Sequence, residues 1–232
     1  GTGPSMGGTD VPYVTKLYSD PYSNTIMLGV QDGASDLNMV TWDGSAWGTV
    51  TELDAATGHT YRENFTYVWY RDAAVISNLD GETLSYSEDS AATPIDQGGN
   101  ASVVLGSGLN YDGGNLTVSF TSGSTSAEDV LGIRNQGTGG GQIGLSGANV
   151  TYGGTVIGTY SGGSLGSNLV ITLNANATDV AVSALISNIT YANANTSTPS
   201  TTDRNVRFVV TNPLGHASAN CDVTVTVTAV ND

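Results

Sequence analysis

Val223-Thr224-Val225-Thr226-Val227-Thr228 reads as a β-strand. Val and Thr are both β-branched, which stiffens the side chain and favours the pleated backbone. Their strict alternation puts Val on one face and Thr on the other, so one face enters a core and the other meets water. Leu116-Thr117-Val118-Ser119-Phe120 and Val206-Arg207-Phe208-Val209-Val210 repeat that period of two. Glycine-rich breaks separate such runs at Gly113-Gly114, across 137–141, at Gly153-Gly154 and at Gly162-Gly163. Glycine accepts the positive φ that tight hairpins demand. Many short strands with turn signals between them predict an all-β sandwich. Helical spacing is confined to Asp179-Val180-Ala181-Val182-Ser183-Ala184-Leu185-Ile186, where Asp179 is expected to cap one short helix.

Composition narrows the function. The 232 residues carry 6 Lys and Arg against 21 Asp and Glu, a formal charge of −15. A nucleic-acid binder needs a basic face to displace counterions, and an anionic membrane repels this chain. No apolar run approaches the ~20 residues of a spanning helix. One Cys excludes a disulfide framework and two His disfavour a zinc site. The chain opens at Gly1 with no leader pattern, which reads as a processed chain or an excised piece. Such an acidic, Gly-, Ser-, Thr- and Asn-rich chain fits an extracellular or cell-surface setting.

The lettering changes near residue 80. Trp42, Trp47 and Trp69 all precede it, and beyond it the core letters are Val, Leu and Ile. The expected division is a flexible leader over 1–12, a small aromatic β unit over 13–79, and a β-sandwich over 80–232.

The sandwich resembles a bacterial cadherin-like module, an immunoglobulin-like Greek-key sandwich that recurs in large surface and secreted proteins. The resemblance rests on the opening Tyr86-Ser87-Glu88-Asp89, on Glu128-Asp129-Val130-Leu131-Gly132-Ile133, on Leu169 to Leu173 with the helix leading to Ile189-Thr190-Tyr191, and on Asp203-Arg204-Asn205 with the closing Val230-Asn231-Asp232. It implies an adhesive or mechanical role, neighbouring modules as partners, and Ca²⁺ at module junctions, with Glu88, Asp203, Asn231 and Asp232 at the matching positions. Calcium wants six to eight oxygens with several carboxylates. Two departures weaken such a site: Asn205 stands where the family's Asp-Arg-Glu has its Glu, and Asn212-Pro213-Leu214-Gly215 replaces its Asp-x-Gly turn.

The aromatic unit is similar to a single blade of propeller-type repeats ending in Trp-Asp-Gly-x-x-Trp, here Trp42-Asp43-Gly44-Ser45-Ala46-Trp47, with a second blade expected to begin over 62–77. One blade cannot bury both faces, because repeat units need stacked neighbours. An open sheet edge invites a strand from another molecule, so other copies of the chain are expected partners in a filament or fibre. Trp42 and Trp47 are also candidates for stacking on a sugar, which makes a lectin-like carbohydrate-binding protein the alternative function.

Catalytic patterns are scarce. His59 and His216 sit in turn-like contexts without a nucleophile elbow, so no Ser/His/Asp triad is expected. Cys221 stands beside Asp222, whose charge disfavours a thiolate. A glycosidase needs a pair of carboxylates in a cleft; Asp32, Asp36, Asp43, Glu52 and Asp54 lie on expected turns near Trp42 and Trp47, where they fit the lining of a sugar-binding surface better than a hydrolytic pair. No lysine follows the 137–141 glycines as a phosphate loop requires. The chain is therefore expected to be non-enzymatic, with no cofactor beyond Ca²⁺. Sequons at Asn64, Asn100, Asn115, Asn149, Asn176, Asn188 and Asn195 mark candidate glycosylation sites in a host that modifies Asn.

Overall fold

The computed structural model describes residues 14–19, 25–31, 37–54, 73–106 and 110–230. The chain divides into two compact units, Gly1–Tyr70 and Arg71–Asp232. The sequence placed that division within 78–82. The difference comes from a short hydrophobic stretch: Ala74, Ile76 and Leu79 belong to the core of the second unit.

In the first unit, β1 (Val14–Ser19), β2 (Ile26–Gln31), β3 (Leu37–Trp42) and β4 (Thr51–Asp54) form an antiparallel sheet in the order β1-β2-β3-β4. Met27, Val30 and Val40 are the buried apolar residues among those described in this unit. The leader over 1–12 lies outside the described residues, as does most of the expected second blade. The end of that stretch does not build a blade: Val75–Ser77 is a strand of the second unit.

The second unit is an all-β sandwich with one short helix. Its strands are β5 (Val75–Ser77), β6 (Thr83–Ser87), β7 (Thr93–Pro94), β8 (Ser102–Val104), β9 (Asn115–Ser122), β10 (Asp129–Ile133), β11 (Ile143–Ser146), β12 (Asn149–Tyr152), β13 (Thr155–Gly162), β14 (Leu169–Leu173), β15 (Ile189–Asn193), β16 (Arg204–Thr211) and β17 (Cys221–Thr228). A large sheet runs β11-β12-β13-β14-β9-β16-β17-β6, a small one runs β10-β15-β7, and β5 pairs with β8. Alternation works as the sequence implies. In β17 the residues Val223, Val225 and Val227 are buried while Thr224 and Thr226 are only partly so, and β16 alternates in the same way. Gly153 and Gly154, at φ +58° and +82°, make the two-residue turn between β12 and β13. Two successive positive φ values match the right-handed twist of the strands they join.

Helix α1 (Asp179–Ile186) falls where the sequence put it, and Ala181, Val182, Leu185 and Ile186 face the core. Its cap differs. The Thr178 hydroxyl accepts from the Ala181 N–H, and Asp179 occupies the first turn instead. Asp179 takes up other work there: its carboxylate accepts from the Leu105 N–H at 3.1 Å and from the Tyr111 hydroxyl at 2.7 Å. No described helix is long and apolar enough to cross a membrane.

Candidate functional site

A group of ionisable side chains lies between the large and the small sheet of the second unit. Asp129 on β10 and Tyr191 on β15 come from the small sheet, and Arg204 on β16 comes from the large one. Arg204 and Asp129 are both fully buried. Arg204 Nε donates to Asp129 Oδ1 at 3.0 Å, and Arg204 Nη1 donates to the carbonyls of Ser200 and Thr202. Tyr191 donates its hydroxyl to the same Asp129 oxygen, while the other oxygen accepts from the Thr125 N–H at 2.6 Å. Glu128 stands 3.5 Å from Arg204 Nη2. Its carboxylate accepts from the Asn195 amide and the Ser200 N–H, and these bonds hold it below the usual carboxylate range. Burial and the bond to Asp129 push the Tyr191 phenol up, so it stays protonated.

This arrangement is a fastening. A buried charge must be paired and hydrogen-bonded or it destabilises the fold, and here each oxygen of Asp129 has a donor. Tyr191 stands edge-on between the rings of Tyr86, at 5.0 Å, and Phe120, at 6.3 Å, which come from β6 and β9 of the large sheet. The other two buried carboxylates among the described residues behave alike. Asp96 accepts from the Gly99 and Ala101 N–H groups and from the Ser187 hydroxyl. Glu88 accepts from the Val230 N–H at 2.7 Å. The sequence quoted Asp129 and Arg204 only as motif letters. Their partnership spans 75 positions and no local pattern reveals it.

Of the residues matched to a calcium junction, Glu88 and Asp203 are described, while Asn231 and Asp232 lie outside the described residues. Glu88 directly follows β6, next to the last residues of β17, and its Oε1 is buried without a partner. Asp203 is exposed and directly precedes β16. Among the described residues no group of three or more His, Cys, Asp or Glu is placed to hold a metal. A cation there would need Asn231, Asp232 or further oxygens besides Glu88. Asn205 and Asn212 have structural tasks: Asn205 Oδ1 accepts from the Thr121 hydroxyl, and Asn212 Oδ1 accepts from the N–H groups of Leu214 and His216 in their turn.

Trp42 and Trp47 face each other across a hairpin, with ring centroids 5.4 Å apart and planes at 60°. Asp43 Oδ1 accepts from the N–H groups of Ala46 and Ser45, which closes the turn and lowers the carboxyl's pKa. Both rings are partly buried. Edge-to-face contact is how aromatic quadrupoles prefer to pack, so the pair stabilises its own hairpin while leaving partial ring surface outward. Glu52 is exposed on β4; Asp32, Asp36, His59 and the Asp54 side chain lie outside the described residues.

The sequons differ in access. Asn64 lies outside the described residues. Asn188 is a correction: it is 5% exposed, receives a bond from Arg134 Nε and donates to the Ala184 carbonyl, so it is no surface acceptor. The amides of Asn176 and Asn195 donate to Val156 and to Glu128. Asn115 accepts from the Thr117 hydroxyl of its own sequon, Asn149 is half-buried beside its turn, and Asn100 is exposed. Cys221 is buried, and burial with the charges of Asp80 and Asp222 pushes its thiol up to about 12.

No family model matches the chain, and no curated protein matches it.

Proposed function

We propose that this chain is a non-enzymatic structural or adhesive module of an extracellular or cell-surface assembly, a building piece that joins other copies of itself or neighbouring modules. The observation that carries this reading is the use made of its buried acids. Asp96, Asp129 and Glu88 each hold backbone N–H groups, and Asp129 also holds an arginine across the sheets. A catalytic acid or base needs a proton it can exchange with substrate, whereas both oxygens of Asp96 and of Asp129, and Oε2 of Glu88, are committed to loops, strands and neighbouring side chains.

Strand addition is the proposed mode of self-association. Among the described residues, the strand order places β1 and β4 at the edges of the first unit's sheet, and Leu17 on β1 is 65% exposed. Exposed apolar edges are templates for pairing with another chain. Analytical ultracentrifugation with electron microscopy of the purified chain tests it. Concentration-dependent oligomers or fibres are expected; a monomer at every concentration removes the self-associating form. Ca²⁺ is proposed as a ligand at the Glu88 end on the strength of the partnerless Oε1. Added Ca²⁺ is expected to raise the melting midpoint, since binding only the native state stabilises it, and an unchanged midpoint removes the ion.

Carbohydrate binding remains the second reading, favoured by the partly exposed Trp42–Trp47 pair at its hairpin tip. A glycan array comparing the native chain with Trp47→Ala decides it. Equal signals from the two proteins eliminate that surface.

A further inference from the structure

Among the described strand pairs, β6 and β17 form the parallel one, in the register Thr83↔Thr224 to Ser87↔Thr228. The other paired strands are antiparallel. The pairing extends past both strand ends. At the start, the Asp222 N–H donates to Asp80 Oδ1, the Gly81 N–H to the Asp222 carbonyl, and the Thr224 N–H to the Glu82 carbonyl. At the finish, the Glu88 N–H donates to the Thr228 carbonyl and the Val230 N–H donates to Glu88 Oε2. Residues 80–88 are thus fastened along residues 222–230.

We propose that this pair is a mechanical clamp, with Glu88 as its latch. Force that enters the second unit before β6 and leaves it after β17 pulls the two strands in opposite directions along their length. The cross-strand bonds then lie perpendicular to the load and must fail together. In an antiparallel pair pulled at adjacent ends they fail one at a time. Sliding has a second obstacle. Leu84 and Tyr86 on β6 and Val225 and Val227 on β17 are buried, and a one-residue slip turns a strand's core side chains to the opposite face. Glu88 sits where the load leaves, 3% exposed and bonded to the backbone of Val230. The clamp deepens the structural role proposed above. It is a property of one molecule, so a failure to self-associate would leave it standing.

Optical tweezers on the full chain test the proposal, in a Cys221→Ala background with two pairs of thiol handles. Ser77→Cys with Val230→Cys loads β6 against β17 in shear. Ser77→Cys with Asn220→Cys opens the same bonds from their starting end. Forced unfolding reads the unfolding barrier rather than the equilibrium, and the expected unfolding force is about twofold or more higher in the shear geometry. Equal forces, or a stronger peeling geometry, overturn the clamp. Glu88→Gln, which keeps an acceptor oxygen, is expected to retain the shear force. Glu88→Ala is expected to lower it and to leave the peeling force unchanged. If alanine lowers neither force, or lowers both equally, Glu88 is not a latch. The comparison of the two geometries stands even if the alanine variant does not fold.

Discussion

Single residues in this molecule trade reactivity for hold. Cys221 shows it most simply: a thiol that is buried and pushed up to about 12 offers almost no thiolate near neutrality. Native protein at pH 8 is expected to resist a thiol reagent that labels the unfolded chain at once, and fast native labelling would contradict the packing around β17. The acids predict a pH dependence. Bonds from Asn195 and Ser200 depress the Glu128 pKa, and the bond from Arg207 depresses that of Asp222. A carboxyl with a depressed folded pKa stabilises the fold above its unfolded pKa, and that contribution disappears as pH falls through the folded value. Urea midpoints are therefore expected to hold near neutrality and to fall below about pH 4, the ordinary carboxylate range. Glu128→Gln is expected to flatten that acid limb. The Arg207–Asp222 pair is about a third exposed on each side, so its share of the limb is the smaller.

At the scale of elements, turns and caps decide more than strand letters. Thr178→Ala removes the acceptor for the Ala181 N–H and is expected to cost about 0.5–2 kcal/mol in chemical unfolding. An unchanged midpoint would mean that the cap is idle. Gly123 and Gly215 make a sharper comparison. Both have positive φ, but a Cβ on Gly123 would lie 1.9 Å from the Asp203 carbonyl oxygen, while one on Gly215 would meet nothing within 4 Å. Gly215→Ala is expected to cost only the left-handed strain, about 1–2 kcal/mol, and Gly123→Ala clearly more. Equal costs would show that the backbones are not in contact there. The period-two runs announced β9, β16 and β17, and the paired glycines announced the β12–β13 turn, because both signals are local. The short strands β5, β7 and β8 were not legible, since two or three residues carry no period. Asp179 looked like a cap because acids favour that place. Thr178 holds it because Asp179 is engaged by Leu105 and Tyr111, a relation between residues more than 65 positions apart.

For the whole molecule, the question is whether the buried acids serve architecture or chemistry. The sandwich has no disulfide joining its layers; its one cysteine is free. Arg204 and Asp129 take that place, binding the large sheet to the small one while Tyr191 fills the space between Tyr86 and Phe120. The candidate site was half visible in sequence. Its letters were quoted, but it takes the pairing of β10 with β15 and the packing of the small sheet on the large one to bring residues 129, 191 and 204 together. Functional residues tend to be held at the expense of stability, so replacing them leaves stability unchanged or raises it. Breaking a structural buried pair leaves one charge stranded and costs about 3–5 kcal/mol. Chemical unfolding of Arg204→Met beside the native chain separates the two roles most directly. A fall in stability of that size is predicted, and stability that is unchanged or increased would contradict the architectural account.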